Sequence, residues 1–537
     1  MTKIPEYKTQ RIKGTLYAYI DKPFWNSEKK RGEHKREYIG KVVDGEFVPN
    51  AKFLLKQAEN KGTEEKEKET RGPKTTKKSV RQFAGATHVL EEISEKTGMK
   101  ADLEEIFGKT LASAILSVAY YLVIEEGRPV YRFKKWANTH KHPFEGELSS
   151  QRISELFECV SEDRKQKYFK RQTERCKDRE WLAFDTTSIT SYSELLKQAK
   201  FGKNKEGDRL PQINLAILTG DTSMMPVCYR KLPGNTADVS TLMNLLKEIE
   251  YLDKKKVKLV MDRGFYSKAN VNEMYKRHIK FLVGSKINLS YVQRELSVIR
   301  DDLVSFKCYD IHTGLYMKTV MTKWDYESVK KGEEVHEKRR IYLHFYYNDQ
   351  KSTDEKIKLA KTLAQCDEEL KSDKPVEAHQ KFYDKYFRVS RIPKRGIKVE
   401  YLDENIKAAT VDSGFFVLIS NEISDPGRAL AIYKERDLIE KSFGNLKERL
   451  GMRRMSVASE ENFEGKLFVQ FIALQLLSYI KKKMTDEKLF KNYTLFSLLD
   501  ELDIIERFHT PGKRPYYSEI TEKQREIYQK LDIESPK

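Results

Sequence analysis

Residues 431–450 read AIYKERDLIEKSFGNLKERL, and at about 100° of rotation per residue this run resolves into two neighbouring stripes on one helix. Ile432, Ile439, Phe443, Leu446 and Leu450 make an apolar face that calls for a sheet to pack against. Beside it, within about 60° of arc, fall Tyr433, Arg436, Glu440 and Lys447. A carboxylate, a guanidinium, an amine and a phenol at the edge of a buried surface suit a phosphodiester, because the carboxylate can hold a metal ion while the cations hold phosphate oxygens. The same spacing also fits a solvent face on which Arg436 pairs with Glu440 one turn on.

Upstream segments supply the sheet. Apolar β-prone runs occur at Trp181–Phe184, Gln212–Leu218, Met225–Tyr229, Val257–Met261 and Ile279–Val283, and amphipathic helices are expected near 239–251 and 268–277. That alternation predicts an α/β core. Asp185 follows the first of these runs and Asp262 the fourth, so each is expected near the end of a buried strand. Strand ends are where α/β enzymes place catalytic groups, although an Asp there is also an ordinary turn or cap residue.

Around this core the pattern divides the chain of 537 residues further, which is longer than one hydrophobic core usually organises. Residues 1–48 read as a small β element with a basic loop (Lys29, Lys30, Arg31, Lys35, Arg36) that could contact DNA, and 49–80 as a linker. Residues 81–178 read as helical, with Leu111–Val123 the most apolar stretch. The core is expected over 179–298 and 411–482, interrupted by a β-rich insertion at 299–410 and followed by a helical tail at 483–537.

Lys and Arg outnumber Asp and Glu by 101 to 82, a net charge of +19, which favours a polyanionic partner, nucleic acid first. Five cysteines (Cys159, Cys176, Cys228, Cys308, Cys366) stand far apart with no CxxC, and the ten histidines show no metal-ligand spacing, so neither structural zinc nor a disulfide framework is expected. No apolar leader and no run of ~18 apolar residues occurs. The sequence therefore predicts a cytosolic, non-membrane protein. Phe201-Gly-Lys-Asn-Lys-Glu-Gly207 is not a P-loop, and Phe184-Asp-Thr-Thr187 lacks the second Asp of a haloacid-dehalogenase phosphatase. No nucleotide cofactor is implied.

The spacing Tyr433-x2-Arg436-x3-Glu440-x6-Lys447 resembles the Tyr-Arg-Glu-Lys signature of the insertion-sequence-four superfamily of bacterial DDE transposases. Further similarities are Phe184-Asp185-Thr-Thr-Ser, Phe201-Gly-Lys with Gln212-Ile-Asn-Leu, the turn Pro233-Gly-Asn-Thr-Ala-Asp238, and Met261-Asp-Arg-Gly-Phe-Tyr266. They lie in the family's order over about 180–480, and the first 150 residues carry no matching motif. The resemblance implies an RNase H-like catalytic core in which Asp185, Asp262 and Glu440 form the DDE triad. The separation 440 − 262 = 178 leaves room for the insertion this family carries. It further implies two Mg²⁺ or Mn²⁺ ions, and Tyr433, Arg436 and Lys447 positioning the cleaved strand. Its expected partners are double-stranded DNA, as terminal inverted repeats and as target, and a second copy in a synaptic dimer.

Three further residues carry two readings each. Arg263 beside Asp262 is either a DNA contact or an exposed paired charge; Asp238 is most simply a helix N-cap. Trp324, in the insertion, either stacks on a base flipped from a distorted DNA end or packs in the insertion core. Besides an active transposase, the chain could be an RNase H-like nuclease without strand transfer, or a transposase-derived DNA-binding protein with a disabled site.

Overall fold

The computed structural model describes residues 6–12, 15–26, 31–43, 46–54, 79–175, 180–191, 196–202, 210–236, 238–251, 257–330, 333–392, 396–436, 444, 450, 454–455 and 459–537. The chain divides into two compact units. One comprises Met1–Lys177, Thr186–Thr236 and Leu438–Lys537; the other comprises Asp178–Asp185 and Ala237–Asp437.

The first unit is built around the helix Glu460–Asp486, which is buried along most of its length through Phe463, Leu467, Phe468, Phe471, Ile472 and Leu476. This helix is long and apolar enough to cross a membrane by composition, yet 83% of its apolar window is buried inside the protein. A helix apolar on all sides belongs in a core. Helices Lys109–Ile124 and Ser150–Glu158 pack against it. At Gly465 the approach is close enough that a Cβ would lie 2.1–2.5 Å from the backbone of Phe157, 2.1 Å from its carbonyl oxygen, so glycine is required there. Lys165 and Lys231, both nearly buried, share Glu464 at 2.7 Å each, so these buried cations are paired.

The same unit holds a four-stranded antiparallel sheet, Lys8–Ile12, Thr15–Asn26, Arg31–Val43 and Glu46–Pro49, each strand beside the next. The tail is not purely helical. Between helices Leu495–Asp503 and Glu522–Lys530, the strand Glu506–His509 pairs antiparallel with Val80–Phe83. The short β-prone run Arg507-Phe508-His509 takes a partner from a distant part of the chain. Strand Gln212–Gly220, buried at every position, pairs antiparallel with Pro226–Pro233.

The second unit is a sheet with helices. The first part of strand Leu182–Ser191 pairs parallel with Lys258–Met261, and that strand pairs parallel with Lys280–Ser285. Antiparallel neighbours follow in the order Phe415–Ser420, Glu333–Tyr347, Leu315–Lys330 and Tyr309–Asp310. The segment expected as a β-rich insertion thus contributes a long hairpin that widens this sheet. It then turns helical over Asp349–Lys371, where Leu363, Cys366 and Leu370 pack with Tyr383, Tyr386 and Phe387.

Candidate active site

Asp185 does not end its strand. The strand runs from Leu182 to Ser191 and carries Asp185 inside it, because the residues that follow, Thr186-Thr-Ser-Ile-Thr190, are mostly β-branched and buried and continue the extended chain. Asp262 does fall directly after its strand, in extended conformation (φ −73°, ψ 165°), before the short 3₁₀ turn Arg263–Phe265.

Register brings the two together. Phe184 is opposite Met261 in the parallel pair, and Asp185 and Asp262 each follow directly on that rung. Neighbouring strands lie about 4.8 Å apart, so the two residues that follow this rung are near each other. Asp185 is buried at 6% exposure, whereas the Asp262 side chain is 45% exposed.

Helix Pro426–Glu435 brings the next two groups. Asp425 caps it by accepting a hydrogen bond from the Arg428 backbone N–H at 2.7 Å, and Pro426 sits in its first turn. Ala429, Leu430 and Ile432 bury its apolar side. Tyr433 then donates its hydroxyl to Asp262 Oδ1 at 2.8 Å, and Arg436 Nη1 lies 3.4 Å from the same oxygen. The Arg436 guanidinium also lies 4.9 Å from the centre of the Tyr433 ring. Burial, and then the Asp262 carboxylate, push the Tyr433 phenol well above its ordinary pKa, so it stays a proton donor to Asp262. Arg436 itself is buried at 8% exposure, deeper than the stripe's edge position suggests.

One neighbour of this cluster was not singled out from the sequence. Gly284, in strand Lys280–Ser285, faces Tyr433 so closely that a Cβ there would lie 2.8 Å from the phenol oxygen and 3.0 Å from the Arg263 backbone nitrogen. Its signal was readable, since glycine inside a buried strand marks a close approach.

The other expected residues are placed as follows. Arg263 is exposed beside Asp262. Trp324 lies in strand Leu315–Lys330, buried at 6% exposure, with its indole N–H donated to Asn272 Oδ1 at 2.7 Å and its ring edge-on to Tyr291 at 5.7 Å. Glu440 and Lys447, and most of the stripe beyond Arg436, lie outside the described residues. The Asp238 backbone begins helix Asp238–Tyr251.

The model of the transposase DDE domain matches residues 177–476, more than half of the chain. The chain belongs to the transposase DDE domain family. This is a family of transposition enzymes, and transposase DDE domains generally use divalent metal ions. Both aspartates, Tyr433 and Arg436 fall within the matched span. No curated protein sequence matches the chain significantly. Among solved structures, the piggyBac transposase synaptic complex with hairpin DNA is similar at 8% identity and a TM-score of 0.34, over 78% of this chain and 77% of that one.

Proposed function

We propose that this transposase DDE protein binds the terminal inverted repeats of an insertion sequence of the insertion-sequence-four type, and that it cleaves and transfers DNA strands there. Asp185, Asp262 and Glu440 are its triad, and two Mg²⁺ or Mn²⁺ ions its cofactor. The observation that carries this reading is that Asp185 and Asp262 directly follow the paired residues Phe184 and Met261, with Tyr433 and Arg436 both on the second carboxylate. An RNase H-like core is supported by the parallel run of the Asp185 strand, the Asp262 strand and Lys280–Ser285.

The donor set fits the metal. Carboxylates side by side on a rigid sheet are hard oxygen ligands, the kind that Mg²⁺ and Mn²⁺ prefer. When bound, such ions supply activation of the attacking water or 3′-hydroxyl and charge neutralisation at the leaving oxygen. The chain's own residues do the rest. Tyr433 fixes the rotamer of Asp262 through its hydrogen bond to Oδ1. Arg436 and Lys447 hold phosphate oxygens of the strand to be cut, and exposed Arg263 adds a contact on the same side. For Trp324, burial and the bonded indole N–H favour packing over base stacking; a folded Trp324→Ala protein that processes ends normally would confirm that choice. The assembly is a dimer that synapses two ends.

The test is an assay on DNA carrying the element's flanking inverted repeats, with Mg²⁺ or Mn²⁺ supplied. Cutting with joining is expected from the wild type. Cutting alone would leave an RNase H-like nuclease, and binding alone a disabled derivative. Asp185→Asn, Asp262→Asn and Glu440→Gln should each abolish cleavage and transfer while end binding survives, and a double variant should be no worse than a single one. Near wild-type cleavage by Glu440→Gln would make the 431–450 stripe a salt-bridged structural face.

A further inference from the structure

Away from the catalytic centre, the described residues bring a thiol, a carboxylate and an imidazole together at one point. Cys366 and Glu369 stand about one turn apart on helix Asp349–Lys371, and so on the same side of it. His379 comes from the 3₁₀ turn Glu377–His379, which is followed by helix Gln380–Tyr386. Packing fixes this return of the chain, since Tyr383, Tyr386 and Phe387 bury against Leu363, Cys366 and Leu370. As a result the Cys366 Sγ, a Glu369 carboxylate oxygen and a His379 ring nitrogen all lie within 4.8 Å of one another.

The surroundings hold these groups in place. His379 Nδ1 lies 2.8 Å from Glu369 Oε2, which also accepts from the Tyr383 hydroxyl, and the Gln365 amide donates to Oε1 at 2.8 Å. Tyr383 is held in turn by the Val376 backbone N–H, which donates to its oxygen at 3.0 Å. Outer hydrogen bonds that orient a ligating carboxylate are a regular part of metal sites. Cys366 is fully buried, whereas the His379 side chain is 31% exposed, which gives an ion a way in. In a tetrahedral zinc site, bonds of about 2.0–2.3 Å put ligand atoms roughly 3.3–3.6 Å apart, so the three atoms need to move by only about 1 Å. A plain ion pair between Glu369 and His379 needs no thiol beside it.

We propose that Cys366, Glu369 and His379 bind one Zn²⁺, with water in the fourth position, and that the ion staples the turn Glu377–His379 to helix Asp349–Lys371. Thiolate and imidazole select zinc over the hard Mg²⁺ or Mn²⁺ that an all-carboxylate centre takes. On binding, Cys366 sheds its thiol proton to solvent and His379 ligates as the neutral ring. Cys and His spacing alone does not show the set, because it holds one of each and takes its third ligand from a carboxylate.

The test uses the full chain, stripped of metal with a chelator and dialysed, with zinc alone and cobalt(II) as the probes. Zinc titrated against a colorimetric chelator should show one tight equivalent per chain, and cobalt should give an intense thiolate-to-metal charge-transfer band. The catalytic aspartates offer only oxygen and give no such band, which separates the two sites. His379→Gln and Cys366→Ser should each weaken zinc binding roughly a hundredfold or more, and Tyr383→Phe about ten- to a hundredfold through the lost bond to Glu369. Zinc should raise the thermal transition of the wild type and leave that of His379→Gln unmoved. Because Cys366 is buried, the part-exposed His379 carries the test if Cys366→Ser fails to fold. No thiolate band in the wild type would overturn the proposal and leave Glu369 and His379 as an ion pair. So would unchanged zinc affinity in folded His379→Gln, or a band that persists in Cys366→Ser and therefore comes from another cysteine. Each of these outcomes leaves the transposase reading intact, because Mg²⁺-dependent cleavage is measured apart from them.

Discussion

Gly284 decides how closely Tyr433 can approach Asp262. An alanine there places its Cβ 2.8 Å from the phenol oxygen, inside any real contact distance, so Tyr433 must retreat and the 2.8 Å bond to Asp262 Oδ1 is lost. Gly284→Ala should lower the cleavage rate on saturating DNA roughly ten- to a hundredfold, the order expected from misplacing a reacting group by about 1 Å. End binding should stay near wild type. Tyr433→Phe removes the atom that is struck, so the double variant should cleave no worse than Gly284→Ala alone. Additive losses in that cycle, measured as single-turnover rates, would show that the glycine matters through the Arg263 backbone instead. The sequence pointed at Asp185, Asp262, Tyr433 and Arg436 through side-chain chemistry and spacing. For Gly284 it offered only a glycine inside a buried strand, which marks a close approach; which atoms approach is defined only when the helix and the strand are both in place.

At the scale of elements, the hairpin Leu315–Lys330 with Glu333–Tyr347 carries a titratable group in its interior. His344 is fully buried, with its Nδ1 2.7 Å from Thr319 Oγ1 on the facing strand, and burial pulls its pKa from 6.5 down to about 4, outweighing the opposing pull of the Ile423 backbone and Asp425. A histidine whose folded pKa is depressed contributes stability that is whole above its unfolded pKa and is lost as pH falls toward the folded one. The window is therefore pH 6.5 to 4, and the loss reaches about 3 kcal/mol at its lower end. Denaturant midpoints measured at pH 7 and 4.5 should fall much further apart for the wild type than for His344→Gln; equal separations would show that the histidine does not set the dependence. The periodicity that made this segment legible as β-prone said nothing of where its strands would pair. Alternation specifies that one face is buried, but only the match of Leu343 with Ile419 and Phe345 with Val417 makes the hairpin an extension of the existing sheet. Asp185 shows the same limit. Its apolar run stopped at Phe184, yet the strand continued, since buried threonines extend a strand as well as valines do.

For the whole molecule, the excess of 101 basic over 82 acidic residues is spread along the chain, whereas the proposed chemistry depends on three carboxylates. Binding and cutting should therefore respond to different variables. Chelating divalent cations should stop cleavage completely and leave duplex affinity nearly unchanged, because docking draws on many Lys and Arg contacts with phosphates. Raising monovalent salt should do the reverse: affinity falls along a straight log–log line, while single-turnover cleavage by already bound protein holds. The slope should be clearly negative, since each phosphate contact contributes roughly −0.9. Titrating labelled duplex at several salt concentrations, with and without chelator, reads both variables in one experiment. A slope near zero would remove the nucleic-acid partner altogether. A slope that changed markedly on chelation would mean that the carboxylates themselves, rather than the dispersed cations, govern docking, and that Asp262 lies in the path of the DNA even before metal is bound.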